Sequence, residues 1–95
     1  MLALLLQMTL KIERATDNGR TFIRLVGRVD AEHLEELKFQ VSAEAATTAI
    51  DLEEVSLVDV EAVRFLVSAE KQGLEILNPS AYIREWMNRV RGNKS

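Results

Sequence analysis

Near the start of the chain apolar and polar residues alternate singly. Leu10, Ile12 and Arg14 fall on one side, Lys11 and Glu13 on the other. That period of two predicts a strand with one buried face. Asp17-Asn18-Gly19 follows, residues that tolerate positive φ and mark a tight hairpin. A return strand over Thr21-Phe22-Ile23-Arg24-Leu25-Val26, closed by Gly27, therefore pairs antiparallel with the first.

From Asp30 onward the period changes. Asp30 is placed to cap a helix in which Leu34, Leu37 and Val41 recur at helical spacing. Glu32, Glu35 and Glu36 enrich its first turns, where the helix dipole favours acids. Phe39 lies off the stripe and has two readings: a satellite contact beneath a loop, or an exposed anchor for a partner. Thr47 to Leu52 predicts a third strand, reached by a helical crossover and hence parallel to its neighbour. Glu53 to Val58 reads as a loop. Asp59 then caps a second helix with the stripe Ala62, Val63, Leu66, Val67 and Ala69, ended by Lys71 and Gly73. Leu74 to Leu77 is a fourth strand. Asn78-Pro79 supplies a cap and a first helical position for a third helix bearing Ile83, Trp86, Met87 and Val90 and ending near Gly92. The order ββαβαβα predicts an α/β fold, a four-stranded mixed sheet with three helices.

Composition narrows what such a domain does. Ninety-five residues, 47% of them hydrophobic, make one small domain with a core of its own. The absence of cysteine excludes disulfides, thiol nucleophiles and thiolate metal sites, and a single histidine, His33, excludes sites needing two imidazoles. No metal or other cofactor is expected. All four glycines punctuate elements, so none remains for a phosphate-cradling loop. The net charge of -3 argues against a nucleic-acid partner. Its distribution says more: Asp30 to Glu61 holds ten acids and one base, while each flank carries an excess of bases. The central third therefore favours a basic partner. Met1 to Leu6 is apolar but lacks the basic flank and length of a signal peptide, and is too short to span a membrane. Residues 1–7 read as an extension that packs as an extra strand or a homodimer contact, with Met8 as an alternative start. Residues 8–92 form the domain, and residues 93–95 a frayed tail.

The residues from Met8 onward resemble the STAS domain of bacterial anti-sigma-factor antagonists. The likeness rests on Leu25-Val26-Gly27-Arg28-Val29-Asp30 before helix one, and on Ile50-Asp51-Leu52, Val55 and Val58-Asp59 before helix two. Gly73 with Leu74-Glu75-Ile76-Leu77 and Asn78-Pro79-Ser80 extends it. The resemblance implies a cytoplasmic, non-catalytic protein-binding module whose contact surface centres on the start of helix two. Its implied partner is an anti-sigma factor resembling a serine kinase. In switchable members that kinase phosphorylates a serine in an Asp-Ser-Ser/Thr-Gly-Leu segment and so blocks binding. Here the segment reads Asp59-Val60-Glu61-Ala62-Val63, so the acceptor position is Val60, which has no hydroxyl.

Partner binding is therefore expected at Asp59, Val60, Glu61 and Arg64, with steering by Glu32, Glu35 and Glu36. Glu61 reads either as a permanent carboxylate in place of a phosphate or as an ordinary first-turn acid. Ser56 is an alternative acceptor or a turn residue. A second setting implied by the family is a small cytoplasmic STAS subunit of a membrane transporter or larger signalling complex, and a third reading is a small enzyme using Asp51 and Asp59 as paired carboxylates. Capping bonds explain the two aspartates without chemistry. His33 reads as an exposed surface histidine, Trp86 and Tyr82 as core and rim of the last helix, and Arg84, Arg89 and Arg91 as cations near its end.

Overall fold

In the computed structural model, residues 10–41 and 45–92 are described. The expectations concerning Met1 to Leu6, Met8 and the tail at 93–95 lie outside these residues. Strands β1 (Lys11–Asp17), β2 (Arg20–Val29), β3 (Thr48–Val58) and β4 (Glu75–Leu77) form one sheet in that order. The helices are α1 (Leu34–Val41), α2 (Val60–Lys71) and α3 (Ala81–Gly92), and short 3-10 turns at Ala31–His33 and Ala45–Thr47 lead into α1 and β3. β1 and β2 pair antiparallel around Asn18 and Gly19, which both adopt positive φ. β2 to β3 and β3 to β4 pair parallel. The predicted element order, hairpin and crossovers are all present.

One face of the sheet holds the core. Ile23, Leu25, Ile50 and Leu52 are buried against the stripes of all three helices: Leu34, Leu37 and Val41; Ala62, Val63, Leu66, Val67 and Ala69; Ile83 and Met87. Trp86 and Val90 pack on its margin. No helix among the described residues covers the other face. There Lys11, Glu13, Arg24 and Glu54 form a run of ion pairs across β1, β2 and β3. Arg20 lies 5.3 Å from the centre of the Phe22 ring and pairs with Glu75 at 2.6 Å.

Two strands run further than the alternation suggests. β2 continues through Gly27 to Val29, and Gly27 sits at φ +106° inside the strand, a conformation that suits glycine. β3 continues from Leu52 to Val58, so Glu53 to Val58, including Ser56, is strand rather than loop. The pairing with β2 slips twice, between Arg24 and Val26 and between Gly27 and Arg28. Each slip gives β3 an extra residue, a bulge, and breaks the period of two. The exposed doublets Glu53-Glu54 and Ser56-Leu57 are its mark.

The last helix also begins differently. Ser80, not Asn78, caps α3, its Oγ accepting from the Ile83 amide at 3.2 Å. Pro79 precedes the cap. Asn78 turns the chain at φ +55° and its Nδ2 donates to Asp51 Oδ1.

Candidate functional site

Asp59 alone separates β3 from α2, so the expected contact segment is a junction between two packed elements instead of a free loop. Its backbone is extended, and its two carboxylate oxygens are committed differently. Oδ1 accepts from the Ala62 amide at 2.9 Å, satisfying an amide that the first turn of α2 leaves open. Oδ2 accepts from the Ala31 amide at 3.0 Å, at the start of the turn into α1. The Asp59 amide in turn donates to the Val29 carbonyl at 3.3 Å. One side chain thus sets where α1 and α2 begin relative to each other.

Beyond Asp59 the surface is half apolar. Val60 is 39% exposed and Leu57 51% exposed, both unusual for aliphatic residues in an element. Leu57 points outward opposite Arg28, one residue before the buried Val58. Glu61 and Arg64 flank them on the first turns of α2 and pair with each other at 3.2 Å. Between α1 and α2 lies a shallow groove lined by Leu34, Lys38, Glu61, Arg64, Phe65 and Ser68. Val60, Glu61 and Arg64 therefore stand together, with Asp59 beneath them. Leu57 was missed by sequence reasoning, because Glu53 to Val58 reads as a loop and a loop assigns no side-chain direction.

Glu32, Glu35 and Glu36 are all exposed, and no ion pair among the described residues involves them. Phe39 is 83% exposed, so of its two readings the satellite contact is wrong: α1 points its stripe inward and this ring outward. His33 is partly covered instead of exposed, its Nδ1 2.9 Å from Asp30 Oδ1. Asp30, Glu32 and His33 bring ligand-type atoms within 4.8 Å of one another, which is the grouping among the described residues that could hold a cation.

Asp51 and Asp59 are not paired. They lie eight residues apart, Asp51 within β3 and Asp59 just past its end, a span of up to about 26 Å at about 3.3 Å per residue. Asp51 Oδ1 accepts from the Glu53 amide at 2.9 Å and from Asn78, so it supports the first bulge and the turn after β4. Tyr82 and Trp86 contact each other at 5.8 Å, as rim and core margin of α3. Arg84 lies in the first turns of α3 and only Arg89 and Arg91 near its end, paired with Glu85 and Glu70. No helix among the described residues is long and apolar enough to cross a membrane.

The family model described as "Mlab, STAS domain" matches residues 2–92. No curated protein matches the sequence. Among solved structures, an anti-sigma factor antagonist from Mycobacterium paratuberculosis superposes with a TM-score of 0.71 at 15% identity, over 90% of this chain and 81% of that one. An antisigma-factor antagonist STAS domain from Rhodobacter sphaeroides superposes with a TM-score of 0.51 at 18% identity, over 73% of this chain and 84% of that one. At these identities the two structures attest the fold.

Proposed function

This chain belongs to the STAS domain family, and from that premise we propose that it is a non-catalytic regulatory module that binds a partner protein through the β3–α2 junction. Val60 is the exposed apolar centre, Glu61 and Arg64 its charged rim, Leu57 a second exposed aliphatic residue on the adjoining end of β3, and Asp59 the bracket that holds both helices in place. The observation that carries this reading is two exposed aliphatic side chains on a junction locked by backbone hydrogen bonds. A rigid, partly apolar patch binds with little ordering cost.

The partner is an anti-sigma factor of the kinase-like kind, in a bacterial cytoplasm, and the module works as an antagonist without a phosphate switch. Val60 offers no hydroxyl at the acceptor position. Ser56 is exposed on β3 two residues before the end of that strand. A second reading, a small cytoplasmic subunit of a membrane transporter, is favoured by the same valine. An apolar residue at the contact centre suits a permanent interface better than a reversible one.

The experiment is co-purification of the tagged chain from both cytoplasmic and membrane fractions, with identification of the partner and intact mass of the bait. A kinase-like or sigma-pathway protein with unmodified bait is the expected result, and loss of that partner in Val60→Glu places the contact. Recovery of permease subunits instead moves the protein to the transporter setting. A partner retained at full yield by Val60→Glu and Leu57→Glu refutes the junction as the contact surface.

A further inference from the structure

The outer face of α1 is a second and separate feature. The core stripe Leu34, Leu37 and Val41 occupies one side of this helix. At about 100° per residue, Glu32, Glu35, Glu36 and Phe39 fall within a sector centred opposite that stripe. Glu35 and Phe39 are four apart, Glu36 and Phe39 three apart, so the acids lie one turn from the ring along one line. The three carboxylates have no cationic partner among the described residues, and the ring is 83% exposed, the highest of any large hydrophobic described. Lys38 projects to the other side of the helix, into the groove shared with α2.

Two other aromatic sites among the described residues carry charges of both signs. Phe22 is covered by Arg20, which itself pairs with Glu75. On α3, Glu85 answers Arg89 next to Tyr82 and Trp86. Among the described residues, the α1 face joins acids without an ion pair to an exposed ring.

We propose that the outer face of α1 is a docking surface for a basic protein segment, in which Phe39 enters an apolar recess of the partner and Glu32, Glu35 and Glu36 pair with its lysines or arginines. Charge complementarity selects the occupant. Like charge repels a nucleic-acid backbone or an anionic membrane, whereas a basic amphipathic helix offers cations and an apolar seat at matching one-turn spacing. The surface is distinct from the β3–α2 junction and stands whether or not that junction binds its own partner. With both in use, the module holds two proteins at once.

The test uses the whole chain, isotopically labelled, and a synthetic amphipathic helix of leucine and lysine, with a leucine and glutamate helix of equal length as control. The expected result is amide shifts centred on residues 32–39 with the basic peptide only. Phe39→Ala weakens binding about tenfold or more, as loss of a buried aromatic anchor does. Glu35→Lys with Glu36→Lys abolishes binding of the basic peptide and creates binding of the acidic one. Because these positions are exposed, the variants keep the wild-type amide spectrum outside α1. No saturable binding of the basic peptide overturns the proposal. So do shifts centred on residues 57–64, or an affinity within twofold of wild type in Phe39→Ala. None of these results touches the junction reading, whose failure is read instead from partner retention in the Val60 and Leu57 variants.

Discussion

Asp59 carries more of this architecture than its size suggests. It caps α2 through one oxygen and holds the start of the α1 turn through the other, so its loss leaves two amides without their acceptor. Asp59→Ala is expected to lower the unfolding free energy by about 2–3 kcal/mol, a cap and a second charge-assisted bond together, as read from urea unfolding. Asp59→Asn, which keeps an acceptor for one of the two amides, should recover part of that loss. Val60 behaves oppositely. It is half out of the fold, and Val60→Ser should leave stability within about 1 kcal/mol of wild type while placing a hydroxyl at position 60. An unfolding midpoint that drops as far in Val60→Ser as in Asp59→Ala contradicts the division between bracket and contact.

Among the elements, the helices and the cap of α2 were legible in the sequence because their signals are local and agree. The stripes of α1 and α2 and the Asp59 cap with its helix fell where periodicity put them. Gly73 ends α2 at φ +106° with Ala46 Cα 3.2 Å from the place a Cβ would take. Gly73→Ala therefore combines a strained conformation with a backbone contact, and a loss of about 1–3 kcal/mol is expected in the same unfolding experiment. The strands were legible only in part. β3 looked finished at Leu52 because two bulges cancel the alternation and two glutamates depress strand propensity, yet pairing with β2 carries it to Val58. The cap of α3 was misplaced for a related reason: Asn78, Pro79 and Ser80 all carry capping signals. The tertiary bond from Asn78 to Asp51 decides that the turn comes first and the cap second. Periodicity put Phe39 off the stripe but left two readings open, and Leu57 was hidden in a segment read as loop, since exposure depends on what the rest of the chain leaves uncovered.

At the scale of the whole fold, the described residues make two layers, with three helices on one face of the sheet and a run of ion pairs on the other. Exposed pairs of this kind contribute little each and are screened by salt. Unfolding free energy should therefore change by less than about 1 kcal/mol between low salt and 0.5 M sodium chloride, whereas association through the acidic α1 face should weaken over the same range. A salt-sensitive fold with salt-insensitive binding would reverse the roles assigned to the two charged surfaces. The bulges in β3 have a consequence for how such a chain can vary in lineage. Insertions and deletions normally survive only in surface loops, yet this strand already contains two residues of slack, at Glu53 and at Ser56, upstream of a firm pairing of Val58 with Val29. Removing Ser56 shortens the chain by one codon and closes the second bulge, with Leu57 still opposite Arg28 and Val58 still paired with Val29. Descendants can thus change length inside a strand next to the junction without altering any core side chain.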